Sequence, residues 1–311
     1  MSVTEQYFSG SEQLQNIDLS NLVGGNNNYL GSGFFSNVYT VRDKSGNEAP
    51  DFVVKRLMKG MYMERLFMDI RRKFGWLRSE SSLWLKPNFR AEVNALIDLK
   101  GQQIGPDIVY ANYAKYYYII EKMDNTLKFL IETDTLKPAQ VMKLLALGDR
   151  YLQSKYFHDD MHTNNIMWSE KLNDFRIIDW GIYLIIKPDT PIITKREKEN
   201  LVFLEQIIWF ASLYTQLKIQ EAGSDLEIWK AISENISNYI ARNYPERKTE
   251  YDIFDPDFKK ERHVKKGIDY LIQMREDYKS YSEGEKKGGK TRKRRKVKRN
   301  VTRRIKKYTK M

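Results

Sequence analysis

The sequence predicts an α+β chain in two lobes, a small strand-rich one followed by a larger helical one, with a disordered basic tail at the end. Three observations carry this. Period-two apolar patterns and glycine turns fill the first third, helical spacing takes over beyond residue 124, and positive charge gathers beyond residue 285. A length of 311 residues allows a sizeable core, and 41% hydrophobic with 13% aromatic residues fits a folded chain. Cysteine is absent, which excludes disulfides and thiolate zinc sites and fits an intracellular home, cytoplasmic or nuclear. Met1 to Gly10 has no basic stretch followed by an apolar one, so no signal peptide is expected. No apolar run approaches bilayer length, so no transmembrane segment is expected either.

The net charge of +12 is not spread over the molecule. Lys286 to Met311 holds 15 Lys and Arg and no acid, which leaves 38 basic against 41 acidic residues in the rest. The body is near neutral and the basicity belongs to the tail.

In chain order, residues 1–28 form a polar segment ending in Gly24-Gly25-Asn26-Asn27-Asn28, a loop by composition. Tyr29 to Val41 reads as strand, glycine turn, strand, with Val38 and Thr40 on one side. Its Gly31-Ser32-Gly33 turn can bring bare backbone N–H groups close over phosphates, although many ordinary hairpins hold two glycines. Asp51 to Leu57 is a β-rich run bearing Lys55, either an edge lysine in solvent or an ammonium aimed inward and held by an acid. Glu92, near the start of a helix over Phe89 to Leu99 that stops at Gly101, is the best partner, with Glu64 as its rival. Between them, Met58 to Pro87 mixes apolar and basic residues, as a partner-binding insertion or a basic amphipathic helix on its own lobe would.

Ile108 to Tyr113 and Tyr116 to Ile120 pair as strands, and Glu121 to Asn125 is a polar connector. Pro138 opens a helix with Val141, Leu144, Leu145 and Leu152 on one face. Then comes His158-Asp159-Asp160-Met161-His162-Thr163-Asn164-Asn165, followed after a spacer by Ile177-Ile178-Asp179-Trp180-Gly181. Two carboxylates and an amide converging from two loops can hold magnesium and orient an attacking hydroxyl. Two of the chain's three histidines sit in the first loop, His263 being the other. Glu197 to Gln216 is apolar on several faces and reads as a buried central helix; Val264, Ile268, Leu271 and Ile272 mark a late amphipathic one.

Four of these features fall in one order, and together they resemble the protein-kinase-like superfamily over residues 29–280. Gly31 to Val38 resembles the phosphate-covering loop, with Ser36 in place of the third glycine. Val53-Val54-Lys55 resembles the strand with the phosphate-pairing lysine, and Glu92 its helix partner. His158 to Asn165 resembles the catalytic loop, and Asp179-Trp180-Gly181 the Asp-Phe-Gly metal motif. The resemblance implies ATP and Mg2+ as cofactors. Gly31, Ser32, Gly33, Ser36, Val38 and Lys55 would cradle the nucleotide, and Glu121 and Met123 would meet adenine at the hinge. Asn165 and Asp179 would hold magnesium. Asp160 would be the catalytic base, with Lys55, Glu92 and His162 completing the catalytic set. It also implies an N-lobe over 29–123 with an insertion at about 58–87, a C-lobe over 124–283 and a tail over 284–311.

Departures bear on the acceptor. Asp159 stands where protein kinases carry an arginine that receives a phosphorylated activation loop, so no such switch is expected. The His-x-Asp-x-His-x-x-Asn form resembles aminoglycoside and choline kinases, where His162 would contact the γ-phosphate in place of lysine. Trp180 replaces Phe and is expected only to pack. No Ala-Pro-Glu motif follows Gly181, and Leu201 to Leu217 has Glu205 as its only acid, so the buried aspartate of the family is missing. The expected activity is a divergent serine/threonine protein kinase. The alternatives are a small-molecule kinase and, third, a silent kinase-like binding module. The acceptor is accordingly a protein or small-molecule hydroxyl. The tail can bind nucleic acid or another polyanion, serve nuclear import or tether to anionic membrane, or simply be solvated. Its glycine-then-basic ending resembles those of large DNA viruses, which would extend the setting to a host cell or virion.

Overall fold

Alternation in Phe52-Val53-Val54-Lys55-Arg56-Leu57 sends Val53, Lys55 and Leu57 to one side of a strand and Phe52 and Val54 to the other. In the computed structural model this strand, β4 (Glu48–Leu57), lies inside a six-stranded antiparallel sheet. The structure describes residues 5–8, 11–19, 29–32, 36–57, 89–158, 160–180, 183–185, 203–221, 223–245 and 261–286. The other strands are β1 (Glu5–Tyr7), β2 (Tyr29–Ser32), β3 (Ser36–Arg42), β5 (Ile108–Asn112) and β6 (Tyr117–Glu121), in spatial order β1-β5-β6-β4-β3-β2. The molecule is a mixed α+β structure with this sheet first and most of its helices later.

Each face of the sheet is covered by a different part of the chain. Helix α1 (Phe89–Gly101) lays Val93, Leu96 and Leu99 against Val53, Leu57, Tyr118 and Ile120. On the other face Leu14 and Ile17 join Val41, Phe52, Val54, Tyr110, Tyr117 and Ile119. The N-terminal segment, polar by composition, thus also supplies an edge strand and an apolar cover that its composition did not announce. Glu5–Tyr7 adds an edge strand to β5, with the Asn112 amide donating to the Glu5 carboxylate (2.9 Å) and the Tyr113 hydroxyl to Gln6 (2.8 Å). The segment is polar because its first strand binds through backbone and amide bonds, and two apolar residues three apart, Leu14 and Ile17, suffice to anchor the turn beyond it.

Beyond β6 come β7 (Asn125–Thr126), α2 (Leu127–Glu132), α3 (Pro138–Gln153) and the short strands β8 (Tyr156–His158), β9 (Ile166–Ser169), β10 (Asp174–Ile177) and β11 (Tyr183–Ile185). Proline opens α3 as expected, and Gln140 accepts the Lys137 N–H at 2.8 Å, satisfying a donor at the helix start. Val141, Leu144 and Leu145 are buried, while Leu152 packs at the margin of the core. Hairpin β9–β10 and the β8–β11 pair hold the two loops of interest against each other, with Tyr183 opposite His158.

The central buried helix is present from Phe203: a π turn over Leu204–Ile208 runs into α4 (Trp209–Glu221), with Leu204, Ile207, Ala211, Tyr214 and Leu217 buried. Its expected start at 197–202 lies outside the described residues. Helices α5 (Leu226–Asn243) and α6 (Glu261–Lys286) flank it. Ile268 and Leu271 of α6 are buried, but Ile272, expected on the same face, is exposed. The helix runs to Lys286, past the expected tail boundary at 284. The insertion at 58–87, Glu64 and the tail from 287 lie outside the described residues.

Candidate functional site

Lys55 is buried on the α1 side of the sheet and is not the solvent-facing edge lysine. Its ammonium meets Glu92 Oε1 at 2.7 Å and Asp179 Oδ1 at 2.6 Å. Glu92, from the first turn of α1, is itself 2% exposed, and the Tyr118 hydroxyl donates to the same Oε1 at 2.8 Å. Burial works against the charge on Lys55, but the carboxylates of Asp179 and then Glu92 outweigh it and raise its pKa well above that of a free lysine. Lys55 in turn holds the Asp179 carboxyl below its ordinary value, overcoming burial. Tyr118 did not stand out in the sequence. Its only signal is a tyrosine at an inward-facing strand position, where the hydroxyl needs a partner.

Asp179 has φ +65°, a left-handed conformation unfavourable to a residue with a Cβ. The neighbouring backbone is pinned on both sides, which is how such strain persists at functional positions. Ile178 N–H donates to the Asn165 carbonyl at 2.9 Å, and the Ile178 carbonyl accepts from His158 Nε2 at 2.8 Å. Trp180, fully buried, donates from Nε1 to the Ile177 carbonyl at 2.7 Å and sets its ring edge-on to His158. The indole therefore does more than pack, and a phenylalanine could not make its bond.

His158 is fully buried and uses both ring nitrogens. Asp160 N–H donates to Nδ1 at 3.2 Å, so the proton sits on Nε2, facing Ile178. Burial lowers its pKa and keeps this ring neutral. The Asp160 side chain stays 61% exposed and receives His162 Nε2 at 3.5 Å. That bond is the main reason its carboxyl titrates below the ordinary value. Asn164 N–H donates to His162 Nδ1 at 3.2 Å and orients the ring. Asn165 is buried, and its amide nitrogen donates to the Asp160 carbonyl at 2.8 Å, leaving Oδ1 as its acceptor. Hydrogen bonds thus link Asp160 to Asn165 and Asn165 to Ile178, the neighbour of Asp179, and Asp179 carries the cluster to Lys55.

At the connector, Glu121 N–H donates to Asp107, Lys122 N–H to Asp51 and Asp124 N–H to Trp168, so the strand end is fixed on either side of Met123. Glu121 and Met123 are both buried. Burial, then the nearby Asp107, raises the Glu121 pKa. Gly31, expected in a turn, lies within strand β2, and a Cβ there would meet nothing within 4 Å. Ser36 is buried, and Val38 packs at the margin of the core, facing the same way as Thr40. Ser32 ends β2, while Gly33, Asp159 and Gly181 lie outside the described residues.

The donor set suits a hard cation that arrives with a phosphate. Asp179 offers a carboxylate, about a third of it (36%) exposed, and Asn165 an amide oxygen. No group of three or more His, Cys, Asp or Glu among the described residues could hold a metal ion unaided. Magnesium is commonly bound by one or two protein oxygens, with substrate phosphates and water completing its shell. No protein-family model matches this chain, and no curated protein sequence matches it.

Proposed function

We propose that the protein is an ATP- and Mg2+-dependent phosphotransferase of the protein-kinase-like kind, acting on a serine or threonine hydroxyl of a protein. The observation that carries this is the Lys55 ammonium, buried and shared between Glu92 (2.7 Å) and Asp179 (2.6 Å). These residues come from a strand, a helix and a loop far apart in sequence. A cation placed so is rigid enough to fix phosphate oxygens through charge-assisted bonds. In this reading the sheet with α1 and the helical remainder are the two lobes, joined at Glu121 to Met123, where the backbone meets adenine. Gly31 to Val38 covers the phosphates.

Phosphoryl transfer needs positioning and charge neutralisation more than covalent help. Asp160, exposed at the end of a pinned loop, accepts a hydrogen bond from the acceptor hydroxyl and takes its proton as transfer proceeds. Asp179 and Asn165 would hold magnesium, which would supply positive charge against the phosphates. A small-molecule acceptor is the second reading, favoured by His162 against Asp160. The protein with labelled ATP, magnesium, a protein mixture and a metabolite mixture separates the two, beside Asp160→Asn and Asp179→Asn. Label in protein bands supports the first reading and label in small molecules the second. Equal label in all three proteins refutes both.

A further inference from the structure

Two tyrosine hydroxyls outside the catalytic set bind acids on α1. Tyr118 of β6 donates to Glu92 at 2.8 Å, and Tyr156 of β8 donates to Asp98 at 2.5 Å. Both rings are buried, and Lys155 adds an ion pair to Asp98 at 3.1 Å. Glu92 and Asp98 are six residues apart, so they sit about 9 Å apart along the helix and about 120° apart around it. One bond faces the sheet and the other faces the strand that runs into His158. Apolar packing alone, here Leu96 and Leu99 beside Gly105 and Trp180, resists separation but is weakly directional. Two hydrogen bonds to carboxylates at different angles fix both the rotation and the height of the helix.

We propose that Tyr118 and Tyr156 are positioning residues that clamp α1 in the orientation which keeps Glu92 on Lys55, so that the site is held assembled by the fold itself. This rests on the phosphotransferase reading for its consequence but not for its geometry. It also accounts for the sequence beside the catalytic loop. Asp159 replaces the arginine through which a phosphorylated loop would order such a site, and a clamp built from β6 and β8 makes that device unnecessary.

Tyr118→Phe and Tyr156→Phe remove one oxygen each and leave the rings in place. Each should lower kcat about tenfold, with a smaller change in KM for ATP. In a Glu92→Gln background, where the anchor of Lys55 is already weakened, the same substitutions should lower kcat no further. Asp98→Asn, which still accepts from the phenol, should stay near the native rate, whereas Asp98→Ala should match Tyr156→Phe. Hydrogen exchange across residues 89–101 should quicken in both tyrosine variants and not elsewhere in the sheet. Native exchange and native kcat in both variants would overturn the proposal, as would losses that simply multiply with that of Glu92→Gln. If the native protein transferred no phosphate, the exchange measurement would still decide the clamp, and only the phosphotransferase reading would fall.

Discussion

Lys55 shows how one residue can link stability and function. Its ammonium is almost dry and its charge is balanced by Glu92 and Asp179. Removing it strands the Glu92 carboxylate in the core with only the Tyr118 hydroxyl beside it. Lys55→Met should therefore lower the free energy of unfolding by about 3 kcal/mol in urea denaturation, and adding Glu92→Leu should recover much of it. Both proteins should be inactive, which separates the fold's need for the pair from the chemistry's. His158 gives a second prediction. Its folded-state pKa lies below the free value of 6.5, so the unfolded chain takes up a proton first as the pH falls. Its contribution is complete above about pH 6.5 and is lost as the pH drops below that toward the depressed folded value. The denaturation midpoint of the native protein should fall as the pH drops below about 6.5, and His158→Asn should remove that part of the slope. The loop's residue types were legible in the sequence because carboxylates, an amide and two histidines gather within a few positions. The bonds that pin Asp179 were not, because they run through backbone carbonyls and an indole nitrogen that no spacing encodes.

At the level of elements, legibility followed amphipathic period. Helix α1 shows its period because it buries one face, whereas β4 is buried on both sides and declares itself as a short β-rich run instead. Segment 5–19 was missed because its hold on the sheet is a backbone ladder plus Leu14 and Ile17. Cutting residues 1–19 should uncover the sheet face around Phe52, Val54, Tyr110 and Tyr117. By the area that Leu and Ile bury, this costs about 2–4 kcal/mol, readable as a lower melting temperature. Close helix packing was equally silent in the sequence. A Cβ at Gly148 of α3 would come within 2.2 Å of the Tyr239 hydroxyl on α5 and 2.8 Å of the Phe203 ring, and both rings are buried. Gly148→Ala should destabilise by about 1–3 kcal/mol despite alanine's better helix propensity, because neither ring has room to move.

For the whole molecule, the charge map separates two tasks. With 38 basic and 41 acidic residues outside Lys286 to Met311, the body has little reason to hold a polyanion, whereas 15 positive charges within those last 26 residues have a strong one. Binding of that kind draws on the release of counterions, so its affinity falls steeply with salt, whereas the proposed transfer at a pinned site should not. The tail follows α6, whose buried Arg275 meets Asp134 at 2.6 Å and Glu221 at 2.9 Å, so the helix bearing it is tied to the α2–α3 turn and to α4 rather than to the Lys55 cluster. Deleting residues 287–311 should therefore abolish salt-sensitive binding to a DNA or heparin column and leave turnover of a soluble acceptor within about twofold of native. With DNA present in the assay, a substrate bound to the same DNA as the tail would behave differently. Its KM should rise on deletion with kcat unchanged, because the tail supplies local concentration and takes no part in the transfer. A deletion that instead lowered kcat for the soluble acceptor would mean that the basic segment belongs to the site, and the division between body and tail would have to be redrawn.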